Sequence, residues 1–251
     1  SPVPGRGALS DSPSRDDGRP APVRLAPLPR LVAPADLPGP GEVPLRAVPV
    51  GIGGDAATPV RLDLCAGALV VGPGGSGRSS ALLLLLGYVL PTGRVRAVLS
   101  RDPRLTHLAD THAGAGHVVA ASSFSPFEAA EALKLLATAP PARGDVVVVD
   151  DLDVLQQACP LEVEVLTELV RAGVVLLASA STVSAATAHR GPLAEVRAAR
   201  CGLVLRPGER GSADVFGASL DQVLDPGTGP AGRAVAVRPG ELVPVQVAFA
   251  G

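Results

Sequence analysis

Apolar residues in this chain come in short continuous runs, set apart by Gly- and Pro-rich breaks and by longer stretches with helical spacing. The runs Ala68–Val71, Val95–Leu99, 145–150, 174–178 and Gly202–Leu205 are short, largely free of polar residues and bounded by turn formers. That pattern predicts strands buried on both faces. Two further runs, 45–52 and 59–64, flank the turn-rich Gly53-Gly54-Asp55 and predict a hairpin. A short strand is expected at 117–120, and a closing strand pair at 234–237 and 242–247.

Helices are predicted between these runs. Arg78–Val89 is one, stopped by Pro91 and Gly93. Ser125-Pro126-Phe127-Glu128 opens another, with a hydroxyl cap, a proline at the first position and an acid in the first turn, running to about Ala137. Segments 161–172 and 193–199 complete the set. Buried strands alternating with amphipathic helices imply an α/β fold: a mostly parallel sheet with helices on both faces, an N-terminal hairpin and a C-terminal strand pair. Residues 1–42 lack hydrophobic periodicity and are rich in Pro, Gly, Ser, Asp and Arg. They read as a linker, disordered over its first half, with 27–32 and 35–38 lying extended on a folded surface. Residues 43–251 read as one domain.

Composition narrows the picture. Hydrophobic residues make up 47% of the 251 but aromatics only 2%, so the core must be built from Val, Leu and Ala. A net charge of −2 gives no global positive field to recruit nucleic acid. Lys134 is the only lysine, and the bias toward Arg, Ala, Gly and Pro suits a high-GC, actinobacteria-like genome. Cys65, Cys159 and Cys201 show no paired spacing and read as small buried thiols. No apolar stretch is long enough to span a bilayer. His107, His112, His117 and His189 form no ligand or triad set. The chain has no Met, starts at Ser1 and leads with a linker, which reads as the C-terminal piece of a longer protein.

The candidate chemistry centres on Gly72-Pro73-Gly74-Gly75-Ser76-Gly77-Arg78-Ser79, followed by Ser80. It meets the phosphate-loop pattern G-x-x-x-x-G-K-[ST] at every fixed position but the lysine, which is Arg78. Strand, glycine-rich turn and helix follow in the order the motif requires. The glycines let backbone N–H groups wrap a phosphate while the helix aims its positive end at it. Ser79 stands where a hydroxyl would ligate Mg²⁺. Arg78 is longer, planar and bidentate, so it does not simply replace a compact ammonium.

A second segment, Val146-Val147-Val148-Val149-Asp150-Asp151, ends a buried run in two carboxylates. Asp150 is the candidate second Mg²⁺ ligand, and Asp151 stands where ring ATPases carry a Glu that orients the attacking water. Asp is one methylene shorter, about 1.5 Å short of that task. The alternative is that both aspartates cap the following turn. Ser179, at the tip of the 174–178 run, is a candidate γ-phosphate sensor or a turn former. Arg190, Arg197, Arg200 and Arg206 are candidates for a neighbouring subunit's phosphate, or for a solvated face.

These motifs, with Arg200-Cys201-Gly202-Leu203-Val204-Leu205, Gly229-Pro230-Ala231-Gly232-Arg233-Ala234 and Val243-Pro244-Val245-Gln246-Val247, resemble the motor domains of the FtsK/SpoIIIE superfamily over about residues 43–249. The resemblance implies a P-loop NTPase fold of RecA/ASCE type that takes ATP and Mg²⁺. The likeness is nearest to the last, degenerate modules of type VII secretion ATPases, or to FtsK-like proteins with a forkhead-associated domain. Their partners would be other ATPase domains of the same polypeptide or complex, a hexameric ring and a secreted protein substrate. The site would lie in the cytoplasm, at the inner face of a membrane held by regions outside this sequence. The departures at Arg78, at Asp151 and at Ala180, where DNA-translocating relatives carry a polar sensor, imply a regulatory module with weak or no hydrolysis. An active DNA-translocating motor and a nucleotide-free protein-interaction domain are the competing readings.

Overall fold

The computed structural model describes residues 26–112, 119–217, 220 and 229–249. The disorder expected for the first part of the lead-in, and the start of the 117–120 strand, fall outside the described residues.

Among the described residues ten strands form one sheet, in the order β2-β1-β10-β9-β8-β3-β7-β6-β4-β5. β3 (Ala68–Val71), β4 (Val95–Leu99), β5 (Val119–Ala121), β6 (Val146–Val149), β7 (Val175–Ala180) and β8 (Gly202–Leu205) are mutually parallel. β9 (Arg233–Arg238), β10 (Glu241–Val247), β1 (Val48–Gly53) and β2 (Thr58–Leu62) extend them antiparallel. The predicted hairpin is β1–β2, and the closing pair is β9–β10. Residues 45–47, expected in the first strand, instead form a 3-10 turn.

Alternation along β3 divides the core in two. Ala68 and Val70 point into one apolar cluster, with α1 (Arg78–Val89) and α2 (Pro103–His112). Leu69 and Val71 point into the other, with α3 (Pro126–Thr138), α4 (Leu152–Ala158), α5 (Glu164–Arg171) and α7 (Pro192–Ala198). Both faces of the parallel strands are therefore covered, which is why those strands read as unbroken apolar runs. α1 has no polar face: Leu82, Leu84, Leu85, Leu86, Tyr88 and Val89 are all buried. It packs against β3 and β7 and also against β1, so it is enclosed and needs no polar face. The lead-in contributes too. Val32 and Leu37 are buried, Phe249 N–H donates to the Val32 carbonyl, and Tyr88 Oη donates to the Pro38 carbonyl at 2.6 Å.

Four short helices lie outside the predicted set: α2, α4, α6 (Thr182–Thr187) and α8 (Ser212–Val215). The cysteines differ as well, because Cys65 is exposed while Cys159 and Cys201 are buried. Burial pushes the Cys201 thiol up to about 11 from an ordinary 9.0. A thiol reagent at pH 8 is expected to modify one of the three thiols of the native protein quickly, and all three only after unfolding. Between pH 9 and about 11 the unfolded chain loses the Cys201 proton while the fold keeps it, so this residue's contribution to stability falls as pH rises through that window.

Candidate functional site

β3 ends at Val71 level with Ala180 of β7, and Val149 of β6 ends level with Ala178. β7 therefore lies between the glycine-rich loop and the two aspartates, and the C-terminal edge of the sheet brings residues 72–80, 150–151 and 179 together. The loop itself is open. A Cβ added at Gly74, Gly75 or Gly77 would meet nothing within 4 Å, so backbone faces free space there. Gly75 and Gly77 have φ of +72° and +97°, which only glycine adopts at little cost. Gly72 is needed for a different reason: its Cβ would stand 2.9 Å from Leu205 Cβ at the end of β8. Pro73 lends its carbonyl to the Ser76 N–H at 3.2 Å. Ser76 Oγ is buried and has no partner among the described residues. The first turn of α1 leaves the N–H groups of Arg78, Ser79 and Ser80 without helical acceptors, pointing out of the N-terminus.

Asp150 is buried and held by three hydroxyls. Ser179 Oγ donates to its Oδ1 at 2.6 Å, and Ser79 Oγ and Ser100 Oγ donate to Oδ2 at 2.8 and 3.1 Å. The hydroxyl and carboxylate nominated as metal ligands are thus in direct contact. Among the described residues no group of three or more His, Cys, Asp or Glu side chains could hold a metal by itself. A divalent cation here would rest on Ser79, Asp150 and ligand phosphates, the way Mg²⁺ is commonly held. Ser179, the candidate sensor or turn former, is tied to both aspartates. Its oxygen donates to Asp150, accepts from the Asp151 N–H at 2.8 Å, and is fully buried.

Asp151 does not cap α4 through its side chain, although it stands at the N-cap position in left-handed conformation (φ 54°, ψ 52°). Its carboxylate bridges two arginines: Arg78 Nη2 donates to Oδ1 at 2.6 Å and Arg101 Nη2 to Oδ2 at 2.6 Å. Arg78 Nη1 also donates to the Gly72 carbonyl at 2.9 Å. The guanidinium therefore folds across the loop from α1 toward β6. Only 15% of the Arg78 side chain and 16% of Asp151 are exposed, so this pair is shielded from solvent far better than the half-exposed Arg101. Arg101 lies over the Phe124 ring, 5.7 Å from its centroid.

Sequence reasoning passed over Ser100, Arg101 and Arg104. Ser100 and Arg101 follow β4, whose neighbour β6 carries the aspartates, while Arg104 reaches Ser80 because α2 packs against α1. The available signal was a hydroxyl and an arginine directly after a buried strand. Arg104 Nη2 is 3.4 Å from Ser80 Oγ and is paired with Asp102, whose carboxyl it holds below the usual range. Of the other arginines, Arg197 donates to the Ala185 and Ala186 carbonyls and is internal to the fold.

No protein-family model matches the sequence, and no curated protein matches it. The fold, in contrast, is shared with solved structures. One is the cytoplasmic domain of the Thermomonospora curvata type VII secretion ATPase EccC, at 22% identity and a TM-score of 0.62, covering 89% of this chain and 28% of that one. ATPases 2 and 3 of the same organism's EccC, in complex with a signal sequence peptide, align at 21% and 0.63, covering 89% and 44%. The monomer form of the pCW3 conjugation coupling protein TcpA with ATPγS aligns at 16% and 0.54, covering 89% and 71%. The chain spans less than half the length of either EccC structure. At these identities the likeness is one of fold: the α/β fold of P-loop NTPases. No described helix is long and apolar enough to cross a membrane.

Proposed function

We propose that this chain is a nucleotide-binding module of an FtsK/SpoIIIE-type ATPase in a protein secretion machine, regulatory in role, with weak or no hydrolysis of its own. The observation that carries the reading is the contrast within one site. Gly74, Gly75 and Gly77 keep an open backbone cradle beside the Ser76 hydroxyl, which has no partner among the described residues, and Ser79 lies against Asp150, the other residue that would hold Mg²⁺. The groups that would act beyond the β-phosphate are engaged with each other. Arg78 is bound to Asp151 and the Gly72 carbonyl, and Ser179 to both aspartates.

Bound adenine nucleotide would take free backbone N–H donors of the loop and the positive end of α1, and the residues that would hold Mg²⁺ are Ser79 and Asp150. Mg²⁺ supplies charge neutralisation of the phosphates when bound. Asp151 is short for positioning a water, and its two oxygens already accept from Arg78 and Arg101, so it is a poor base. In this reading the partners are further ATPase modules of the same polypeptide or assembly, arranged as a ring, with a secreted protein as cargo. The setting is the cytoplasmic face of a membrane. The fold likeness to EccC supports it.

Titrating the chain with a fluorescent adenine nucleotide and Mg²⁺ tests the reading. Saturable one-to-one binding is the expected result. No binding at millimolar nucleotide would leave a protein-interaction domain that has lost its ligand.

A further inference from the structure

Resting on that nucleotide-binding reading, we propose that the site selects a nucleoside diphosphate over the triphosphate, with Asp151 as the residue that sets the preference. The parts that receive a β-phosphate are backbone, and they stand open: the space over Gly74, Gly75 and Gly77 and the N-terminal turn of α1. The parts that would meet a γ-phosphate are side chains, and they are closed on one another. In a P-loop site the basic residue at the start of the helix reaches the junction of the β- and γ-phosphates. Here that residue is Arg78, and its guanidinium is held by the Gly72 carbonyl on one side and by Asp151 on the other.

A diphosphate can enter the cradle with this bridge in place. A triphosphate cannot do so without cost, because its terminal group arrives beside a fixed carboxylate. Asp151 is fixed from two directions. Arg101 takes its second oxygen while stacked on Phe124, and Ser179 Oγ accepts from its backbone N–H. Moving the carboxylate aside breaks both arginine contacts at once; leaving it sets like charges together in a site shielded from water. Removing the negative charge has the opposite effect. Arg78 and Arg101 then face the third phosphate with no internal competitor.

Calorimetric titration of the whole chain with Mg²⁺ and either ADP or a β,γ-imido ATP analogue tests this, for the natural protein and for Asp151→Asn. ADP is expected to bind at least about tenfold more tightly than the triphosphate analogue to the natural protein. Asp151→Asn is expected to tighten the analogue by about tenfold or more and to change ADP by less than about threefold, so the ratio collapses. Equal or tighter binding of the analogue by the natural protein overturns the proposal while leaving the nucleotide site standing. So does an unchanged ratio in Asp151→Asn. Failure of both ligands on both proteins removes the site and the preference together. The natural protein's ratio decides the matter even where the variant fails to fold.

Discussion

Gly77→Asp is expected to weaken nucleotide binding by about 100-fold or more, which is about 2.7 kcal/mol, while the protein stays folded. Gly77 is the residue before α1 and has φ +97°, and a Cβ there would meet nothing within 4 Å. An aspartate therefore fits sterically, at a backbone cost of about 1–2 kcal/mol for the left-handed conformation. Its carboxylate lands among the free N–H groups at the positive end of the helix, where an anion is stabilised. The side chain thus becomes a resident competitor for the phosphate. Gly240→Asp is the control for strain alone: φ is +78° in the β9–β10 turn, the space is again open, and the loop is remote. Isothermal titration on both variants, with melting curves alongside, checks the expectation. Unimpaired nucleotide binding by Gly77→Asp would mean that the loop does not hold phosphate.

The second large effect is on stability. Gly202→Ala is expected to cost about 3 kcal/mol or more, lowering the melting temperature by about 6–12 °C for a domain of this size. Gly202 pairs with Leu69 at the start of β8, and a Cβ there would stand 1.9 Å from the Leu69 carbonyl oxygen. Backbone is in the way, so no side-chain rotation relieves the contact. β8 must move off β3, and β8 is also the strand whose Leu205 braces Gly72 at the root of the loop. Differential scanning calorimetry reads the shift directly. A melting temperature within 2 °C of the natural protein's would mean that the two strands have slack that the pairing does not suggest.

Both predictions rest on features with very different visibility in the sequence. β3, α1, β4 and β8 were legible to the residue, because each is an apolar run cut off by glycine, proline or charge. α2 was not: Leu105, Leu108 and Ala109 have helical spacing, but the helix begins at a proline flanked by Arg101, Asp102 and Arg104, and only three residues separate it from the end of β4. α4 was missed because a single left-handed residue, Asp151, turns the chain from β6 into the helix with no glycine or proline to mark the break. The antiparallel extension was half visible, since two hairpins could be read but their joining to β8 through β9 could not.

The site divides in the same way. Glycine spacing, the serine after Arg78 and the paired aspartates are local facts that a motif can carry. What the motif could not carry is who holds whom. The sequence shows that Asp151 is short for positioning a water; it does not show that Arg78 and Arg101 both bind it. For Ser179 the sequence leaves a γ-phosphate sensor and a turn former open; the structure adds that its hydroxyl donates to Asp150 and accepts from the Asp151 N–H. Those pairings depend on β6 lying between β4 and β7, and strand order has no local signature.

The central claim is that this site holds a nucleotide without cutting the bond beyond the β-phosphate, and one measurement meets it head on. The whole chain, in excess over ATP labelled at the γ-phosphate, is mixed with Mg²⁺ and followed for released phosphate through a single turnover. The account predicts that bound nucleotide is recovered as ATP after an hour. Release within seconds, abolished by Asp150→Asn, would contradict it, and would make Arg78 and Asp151 working parts of a motor.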